Sequence, residues 1–163
     1  MFVLERNTTM DNITELIEPI IHHAGHPTAY GKPIKRKILT IGREYYWKGY
    51  HLDDATLLGR IRTALEIPDE YNSLLINVYE AGDTIAWHTD RTTGLRPGCD
   101  VISVSVGGTG TLGYMHFKQD KTKIELTHGT CIRFDPFEHA RRGEQHRARS
   151  VATRWNLTFR ALL

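Results

Sequence analysis

A histidine and an aspartate lie two residues apart in Trp87-His88-Thr89-Asp90, at the end of a short apolar stretch. Residues i and i+2 of a strand or extended turn project to the same side, so the side chains of His88 and Asp90 can reach one cation. The pair is weak evidence by itself, because the chain has nine histidines and such pairs are more often surface or strand-capping residues. A metal site needs a further ligand.

Two downstream histidines could complete this site. His146 begins the stretch HRARSV, which leads into the last apolar run, whereas His139 lies in the charged segment DPFEHARR, which we expect to be a loop. We therefore favour His146 as the third ligand and keep His139 as the alternative. Two imidazoles and one carboxylate form the facial triad that binds iron(II) and leaves positions open for a co-substrate and O2.

The run RWNLTFR (154–160) alternates between an apolar and a polar face, as expected of a strand with one buried side. Iron sites of this kind use an electron-donating acid, and 2-oxoglutarate has two carboxylates that suit arginine forks. Arg154 and Arg160 offer such forks, with Asn156 between them. Asn77 and Tyr79 share one face of the earlier run SLLINVY and offer an amide and a phenol. Polar residues of an edge strand would give the same pattern.

The elements that must position these residues are two helices and a series of strands. Helical apolar spacing covers Asp11 to His23, where Pro19 kinks or ends the helix, and a second helix starts near Asp53 or Asp54 and stops before Pro68. From Tyr71 onward, short apolar runs alternate with turn residues. The sequence therefore predicts a mainly β fold with flanking helices, a β-sandwich or jelly roll whose mouth can hold a small ligand.

Composition places the chain among ordinary globular proteins. Its 163 residues, 40% hydrophobic and 25% charged, suit one domain (1–163) that needs neither disulfides nor oligomerisation, so we expect a monomer. The net charge of +2 argues only weakly for a polyanionic partner. The two cysteines form no CxxC, and the sequence shows neither a leader pattern nor an apolar run of about 18 residues. We expect a cytoplasmic protein without a membrane span.

Taken in order along the chain, these motifs resemble the AlkB family of iron(II)- and 2-oxoglutarate-dependent nucleic-acid dealkylases. The resemblance rests on LINVY (75–79), WHTD (87–90), SVSVGG (103–108), HG (128–129), a later histidine and RWNLTFR, and is looser over residues 32–50. It implies a double-stranded β-helix (jelly roll) core at about 71–163 with iron held by His88, Asp90 and His146. It also implies 2-oxoglutarate contacts from the residues named above, which are Asn77, Tyr79, Arg154, Asn156 and Arg160.

The activity implied by this resemblance is oxidative demethylation of bases such as 1-methyladenine and 3-methylcytosine in RNA or DNA, with release of formaldehyde. The compact form, similar to viral and bacterial AlkB domains, favours a single-stranded substrate. Members often carry an acidic residue after the metal motif, where this chain has Thr92 and Thr93, so base selectivity is open. Two other interpretations remain, a hydroxylase of protein or small-molecule substrates and a non-catalytic binder of methylated nucleic acid.

Nucleic-acid contacts are expected from the segment 32–50, which we interpret as a substrate lid. A target base must leave its stack to reach a buried metal, and aromatic side chains hold such bases. Tyr45, Tyr46 and Trp47 are the candidates, with Arg43 beside them as a phosphate contact; a half-buried strand is the alternative interpretation. Two clusters of basic residues could form an exposed, phosphate-contacting rim. They are Lys32, Lys35, Arg36, Lys37 and Arg43 at the lid, and Arg141, Arg142, Arg147 and Arg149 around His146.

Overall fold

In the computed structural model, which describes residues 3–6, 10, 12–45, 50–116 and 120–163, thirteen strands are arranged in two main sheets and one small hairpin. The strands are β1 (Val3–Arg6), β2 (Thr28–Ala29), β3 (Lys32–Pro33), β4 (Lys37–Gly42), β5 (His51–Leu52), β6 (Ser73–Tyr79), β7 (Thr84–His88), β8 (Val101–Gly107), β9 (Gly110–His116), β10 (Asp120–Leu126), β11 (Thr130–Phe134), β12 (Glu144–Ser150) and β13 (Arg154–Arg160).

The larger sheet has seven strands in the order β1-β11-β8-β13-β6-β4-β5, and the smaller sheet has four in the order β10-β9-β12-β7. All described pairings are antiparallel except β4 with β5. Residues from both sheets line one cavity, so the sheets face each other across it. The predicted mainly β architecture is confirmed.

Two helices cover the outer face of the larger sheet, and a third packs against β12 of the smaller sheet. They are α1 (Ile13–Ile17), α2 (Ala55–Leu65) and α3 (Pro136–Arg141), with a short 3-10 turn at Ile21–His23. Apolar residues of α1 and α2 form one core cluster with Leu157 and Phe159 of β13, both 0% exposed. Because side chains alternate along a strand, the polar residues of β13 must point to the opposite face, toward the smaller sheet.

The second helix follows its sequence signals closely. Asp54 caps it by accepting a hydrogen bond from the Leu57 backbone N–H at 2.9 Å, and the chain leaves the helix at Glu66, whose φ of 56° is left-handed. The first predicted helix is much shorter than expected. It ends at Ile17, because Pro19 cannot continue the helical hydrogen-bond ladder, and Asp11 lies outside the described residues.

Two elements near the candidate ligands differ from the sequence predictions. The segment DPFEHARR, expected to be a loop, forms α3: Pro136 is its first residue, and the Asp135 carboxylate caps it by accepting from the Phe137 N–H at 2.9 Å. The stretch from Glu144 to Ser150 is a strand of its own, β12.

Part of the predicted lid, Lys37–Gly42, is the strand β4 inside the larger sheet. None of the helices in the described ranges could span a bilayer.

Candidate metal and co-substrate site

The three residues predicted as metal ligands come together at one point of the smaller sheet. One ligand atom each from His88, Asp90 and His146 lie within 4.8 Å of one another. The Nε2 atoms of both histidines are 3.5 Å from Asp90 Oδ1. His88 ends β7 and lies directly opposite His146 in the antiparallel pairing with β12, which puts both rings on the same face of the sheet. A register shift between His146 and Ala148 follows immediately.

Hydrogen bonds orient each imidazole with Nε2 toward Asp90. His88 Nδ1 is 2.8 Å from the Ala86 carbonyl oxygen, which can only accept, so Nδ1 carries the proton. His146 Nδ1 is 3.1 Å from His139 Nε2, and His139 Nδ1 is 3.0 Å from the Glu144 carboxylate. His139 therefore lies behind His146, on the side away from Asp90. The alternative third ligand thus contacts the favoured one and is not itself beside Asp90.

This hydrogen-bond chain assigns the protons of both histidines. An ionised Glu144 carboxylate only accepts, so His139 donates through Nδ1 and its Nε2 becomes an acceptor. That acceptor receives the Nδ1 proton of His146, which leaves the Nε2 lone pair of His146 on the side of Asp90. His139 and Glu144 are both 0% exposed, so water does not compete with these bonds. Metal-bound histidines are commonly oriented in this way.

The local electrostatics keep Asp90 charged and His146 neutral. Burial alone would raise the pKa of the Asp90 carboxyl, but the Arg160 guanidinium holds that pKa well below its ordinary value. Arg160 Nη2 donates to Asp90 Oδ2 at 2.7 Å. Burial lowers the pKa of His146 to about 3 in spite of Asp90. A carboxylate and a neutral imidazole are the protonation states that bind metals.

Beside this cluster is a cavity of about 640 Å³ between the two sheets. Asn77 and Tyr79 of β6 and Asn156 and Arg160 of β13 line it, as expected of the predicted 2-oxoglutarate contacts. β6 and β13 are neighbours in the sheet, with Asn77 opposite Asn156. The polar face of β13 is thus the face that points inward.

Arg154, the remaining predicted co-substrate contact, is buried behind these residues. Its guanidinium lies 4.7 Å from the centre of the Tyr79 ring, and Nε donates to Ser150 Oγ at 3.1 Å. Nη1 donates to Ser105 Oγ at 3.2 Å, but Nη2 is buried without a hydrogen-bond partner. No carboxylate in the described part of the chain forms an ion pair with Arg154. An orphaned buried donor on a cation suits the carboxylate of a bound acid.

The predicted substrate contacts have different positions. The Tyr45 ring lies 4.1 Å from the Arg160 guanidinium and lines the cavity, while its hydroxyl donates to the Arg91 carbonyl. Burial raises the pKa of Tyr45 to about 12. Arg43 is exposed, does not line the cavity and donates to the Leu163 carbonyl. Tyr46 and Trp47 lie outside the described residues.

Three further positions were not identified from the sequence. Arg36, placed with the exposed basic residues by its neighbours, is 8% exposed, lines the cavity and donates from Nε to Asn77 Oδ1 at 2.7 Å. Tyr30 is fully exposed at the turn between β2 and β3 and lines the same cavity. Glu144 orients His139. The capping signal Asp135-Pro136 could have placed His139 on a helix, but the other contacts depend on strand register.

The residues present fit iron(II) and 2-oxoglutarate. Two neutral imidazoles and an ionised carboxylate are the donor set of non-haem iron(II) oxygenases. The buried Arg154 Nη2 without a partner offers a seat for a carboxylate. Arg154 lies directly behind the cavity lining, on the same strand as Arg160 and against the ring of Tyr79, which lines the cavity.

Comparison with known proteins supports this assignment. Residues 9–160 match the model of the 2OG-Fe(II) oxygenase superfamily, and no curated protein matches. Among solved structures, OsALKBH1 is similar with a TM-score of 0.72 and 17% identity, over 98% of this chain and 97% of that one. A prolyl hydroxylase from Trichoplax adhaerens, in complex with a hypoxia inducible factor peptide, has a TM-score of 0.63 and 14% identity (99% and 83% covered). A prolyl-4-hydroxylase from Pseudomonas putida has a TM-score of 0.59 and 12% identity, over 99% of this chain and 92% of that one.

These neighbours share the fold, which confirms the predicted jelly roll, and the superfamily supplies iron(II), 2-oxoglutarate and O2 as cofactor and co-substrates. The resemblance read from WHTD and RWNLTFR is confirmed at the level of this superfamily. The match spans nearly the whole chain, including all three candidate ligands. The chain therefore belongs to the 2OG-Fe(II) oxygenase superfamily.

Proposed function

We propose that this oxygenase demethylates N-alkylated bases, such as 1-methyladenine and 3-methylcytosine, in single-stranded RNA or DNA. The observation that supports this most is the aromatic entrance of the cavity. Tyr30 lines the same cavity as His88 and Asp90, yet its side chain is fully exposed. Its φ of 52° and that of Gly31, 76°, are those of a two-residue hairpin turn between β2 and β3, so Tyr30 lies at the tip of this hairpin. An exposed ring beside a metal pocket suits stacking on an unstacked base.

Positive charge accompanies this aromatic entrance. Lys32, Lys35 and Lys37 are exposed on the segment that continues from Tyr30 into β4, and Arg91 is exposed where it lines the cavity. Lysines and arginines around a pocket can contact the phosphates on either side of a base. Binding through such contacts should weaken as salt concentration rises. The resemblance of the sequence to AlkB proteins and the structural similarity to OsALKBH1 support the same substrate class.

In this proposal, separate sets of residues bind the metal and the co-substrate. His88, Asp90 and His146 hold the metal, and Arg160 keeps Asp90 ionised through its 2.7 Å hydrogen bond. Arg154, Asn77, Tyr79 and Asn156 hold the co-substrate. When bound, iron(II) and 2-oxoglutarate supply, with O2, the oxidising chemistry that hydroxylates a C–H bond. Formaldehyde then leaves a hydroxymethylated base nitrogen.

Apolar side chains form a large part of the cavity lining. Side chains from all four strands of the smaller sheet contribute to it, together with two from β11. They are Ile85, Leu112, Leu126, Ala148, Ile132 and Phe134. A water-poor cavity protects a reactive oxidant from side reactions and strengthens the electrostatic interactions within it.

Incubation with methylated oligonucleotides tests the proposal. The purified protein with iron(II), 2-oxoglutarate and ascorbate should release formaldehyde from single-stranded RNA or DNA that contains 1-methyladenine or 3-methylcytosine, in a 1:1 ratio with succinate. Asp90→Ala should abolish release, because it removes one of three candidate ligands. If all four substrates stay intact while the wild-type protein binds iron and 2-oxoglutarate, the nucleic-acid proposal is wrong.

Protein hydroxylation is the second candidate, because two of the similar structures are prolyl hydroxylases, one with a bound peptide. A peptide library incubated under the same conditions would show a mass increase of one oxygen if this alternative holds. A non-catalytic binder of methylated nucleic acid would bind the oligonucleotides without consuming 2-oxoglutarate. These outcomes separate the three functions in one set of assays.

A further inference from the structure

Arg36 is a third buried arginine besides Arg154 and Arg160, and it lines the cavity itself. Its side chain is 8% exposed, lines the cavity and hydrogen bonds through Nε to Asn77 Oδ1 at 2.7 Å. The neighbouring Lys35 and Lys37 are both exposed. Arg36 therefore points inward where the chain enters β4, next to strand β6 that carries Asn77 and Tyr79.

Arg36 and Arg154 converge on Tyr79. Asn77 and Tyr79 lie on the same face of β6, so the hydrogen bond to Asn77 places Arg36 beside Tyr79, whose ring Arg154 covers at 4.7 Å. Tyr79 is itself buried, and burial raises its pKa, so its phenol is neutral near pH 7. The guanidinium groups of Arg36 and Arg154 thus both lie near Tyr79, a group without charge.

Two buried cations need an anion. Among the described residues, no Asp or Glu side chain forms an ion pair with Arg36 or Arg154; Asp83 attracts Arg36 only from beyond ion-pair distance, and Asp90 pairs with Arg160 instead. Burial lowers the pKa of Arg36 and of Arg154, but arginine remains protonated in proteins. Leaving a buried charge without a counter-charge is strongly unfavourable. The arrangement is the one expected of a binding site whose ligand brings the negative charge.

We propose that Arg36 binds the carboxylate of 2-oxoglutarate that lies farther from the metal, together with Arg154. Arg160 already pairs with Asp90 at 2.7 Å, so Arg36 and Arg154 are the two buried arginines left without a carboxylate at ion-pair distance among the described residues. Arg154 Nη2 and the cavity-facing side of Arg36 approach that carboxylate from β13 and from the entry of β4. This inference rests on the co-substrate of the superfamily and not on the nucleic-acid substrate proposed above.

Isothermal titration without nucleic acid tests the assignment. Protein loaded with Mn(II) under anaerobic conditions is titrated with 2-oxoglutarate and, separately, with 2-oxobutyrate, which lacks the second carboxylate. Arg36→Gln should weaken 2-oxoglutarate binding by about 10- to 100-fold, the usual loss for a hydrogen bond to a charged group. The Kd for 2-oxobutyrate should stay within about twofold, because that acid has nothing for Arg36 to bind.

Arg60→Gln is the matched control, since it makes the same substitution at an exposed position of α2 outside the cavity lining, and it should leave both Kd values unchanged. If Arg36→Gln does not fold, as judged by circular dichroism, Arg36→Lys keeps the charge without the fork and should weaken 2-oxoglutarate binding by about threefold to tenfold. Unchanged 2-oxoglutarate affinity in the variant overturns the assignment. An equal loss for both acids does so as well, and so does a loss confined to oligonucleotide binding.

Discussion

Replacing His139 by Phe should weaken metal binding without touching any candidate ligand. The ring of His139 accepts the Nδ1 proton of His146 at 3.1 Å, in a position with 0% exposure. The His139 ring centre lies 5.1 Å from that of Phe134. Phenylalanine at position 139 keeps an aromatic ring at this place but offers no hydrogen-bond acceptor. The buried donor of His146 would then lose its partner, at a cost of about 1–3 kcal/mol, or it would shift its proton to Nε2.

Either result lowers metal affinity, because the Nε2 lone pair of His146 is no longer held toward Asp90. Losses of about 10- to 100-fold are typical when such an outer partner is removed. His139→Gln is the informative second variant: its amide oxygen reaches about as far as Nε2 of histidine and can accept the same proton, so it should restore most of the affinity. Glu144→Gln keeps an acceptor for His139 Nδ1 and should have a smaller effect still.

Co(II) titration of the apoprotein, followed by the d–d absorption of the bound ion, measures these affinities without turnover. Urea unfolding of each apo variant shows whether enough folded protein is present, since removing the partner of the buried Glu144 also lowers stability. Long-range ¹⁵N–¹H correlation spectra of the wild-type apoprotein report which nitrogen is protonated. If these spectra show the proton of His146 on Nε2, or if the Phe variant and the wild type bind Co(II) equally, His139 does not orient His146 through this hydrogen bond.

Three other changes have definite expected outcomes. Tyr30→Ala should lower kcat/KM for a methylated oligonucleotide by about 5- to 100-fold, the range of one base–aromatic stack, while the Kd for 2-oxoglutarate stays constant; a drop in both would contradict the stacking role. Asp90→Asn should abolish Co(II) binding by removing the charged ligand, and retained affinity would remove Asp90 from the site. The folded-state pKa of Tyr45 is about 12, above its unfolded value, so its contribution to stability is present below about pH 10 and is lost between about pH 10 and 12. Urea unfolding at pH 9 and 11 should therefore show a smaller alkaline loss for Tyr45→Phe than for the wild type.

The ligand pair His88 and Asp90 could be predicted because its geometry is local. An i, i+2 spacing fixes the relative direction of two side chains whatever the rest of the fold does. The face of β13 that points into the cavity was harder to predict, because the alternation of apolar and polar residues does not show which face lines a cavity. The order of motifs along the chain resolved it, and Leu157 and Phe159 do pack against the helices.

Strand β12 was missed because its buried side is polar. Glu144, His146 and Ser150 point inward with Ala148, while Arg147 and Arg149 are exposed, so the usual apolar alternation is absent. Arg36 was misplaced for a related reason. Its direction depends on how β4 pairs with β6, a contact between residues about 40 positions apart that no local pattern contains. The contacts predicted for Tyr46 and Trp47 stay predictions.

The charges around the cavity couple the binding of the metal to the binding of 2-oxoglutarate. Arg36, Arg154 and Arg160 bring three positive charges and Asp90 one negative charge, a sum of +2 among these buried residues. Glu144 lies behind His146 and pairs with Arg142 at 3.5 Å, so it offsets little of this excess. A divalent metal alone would raise the sum further, whereas a dicarboxylate bound with it returns the total to +2. The electrostatics of the wall therefore favour binding of metal and co-substrate together, and this coupling acts equally in both directions.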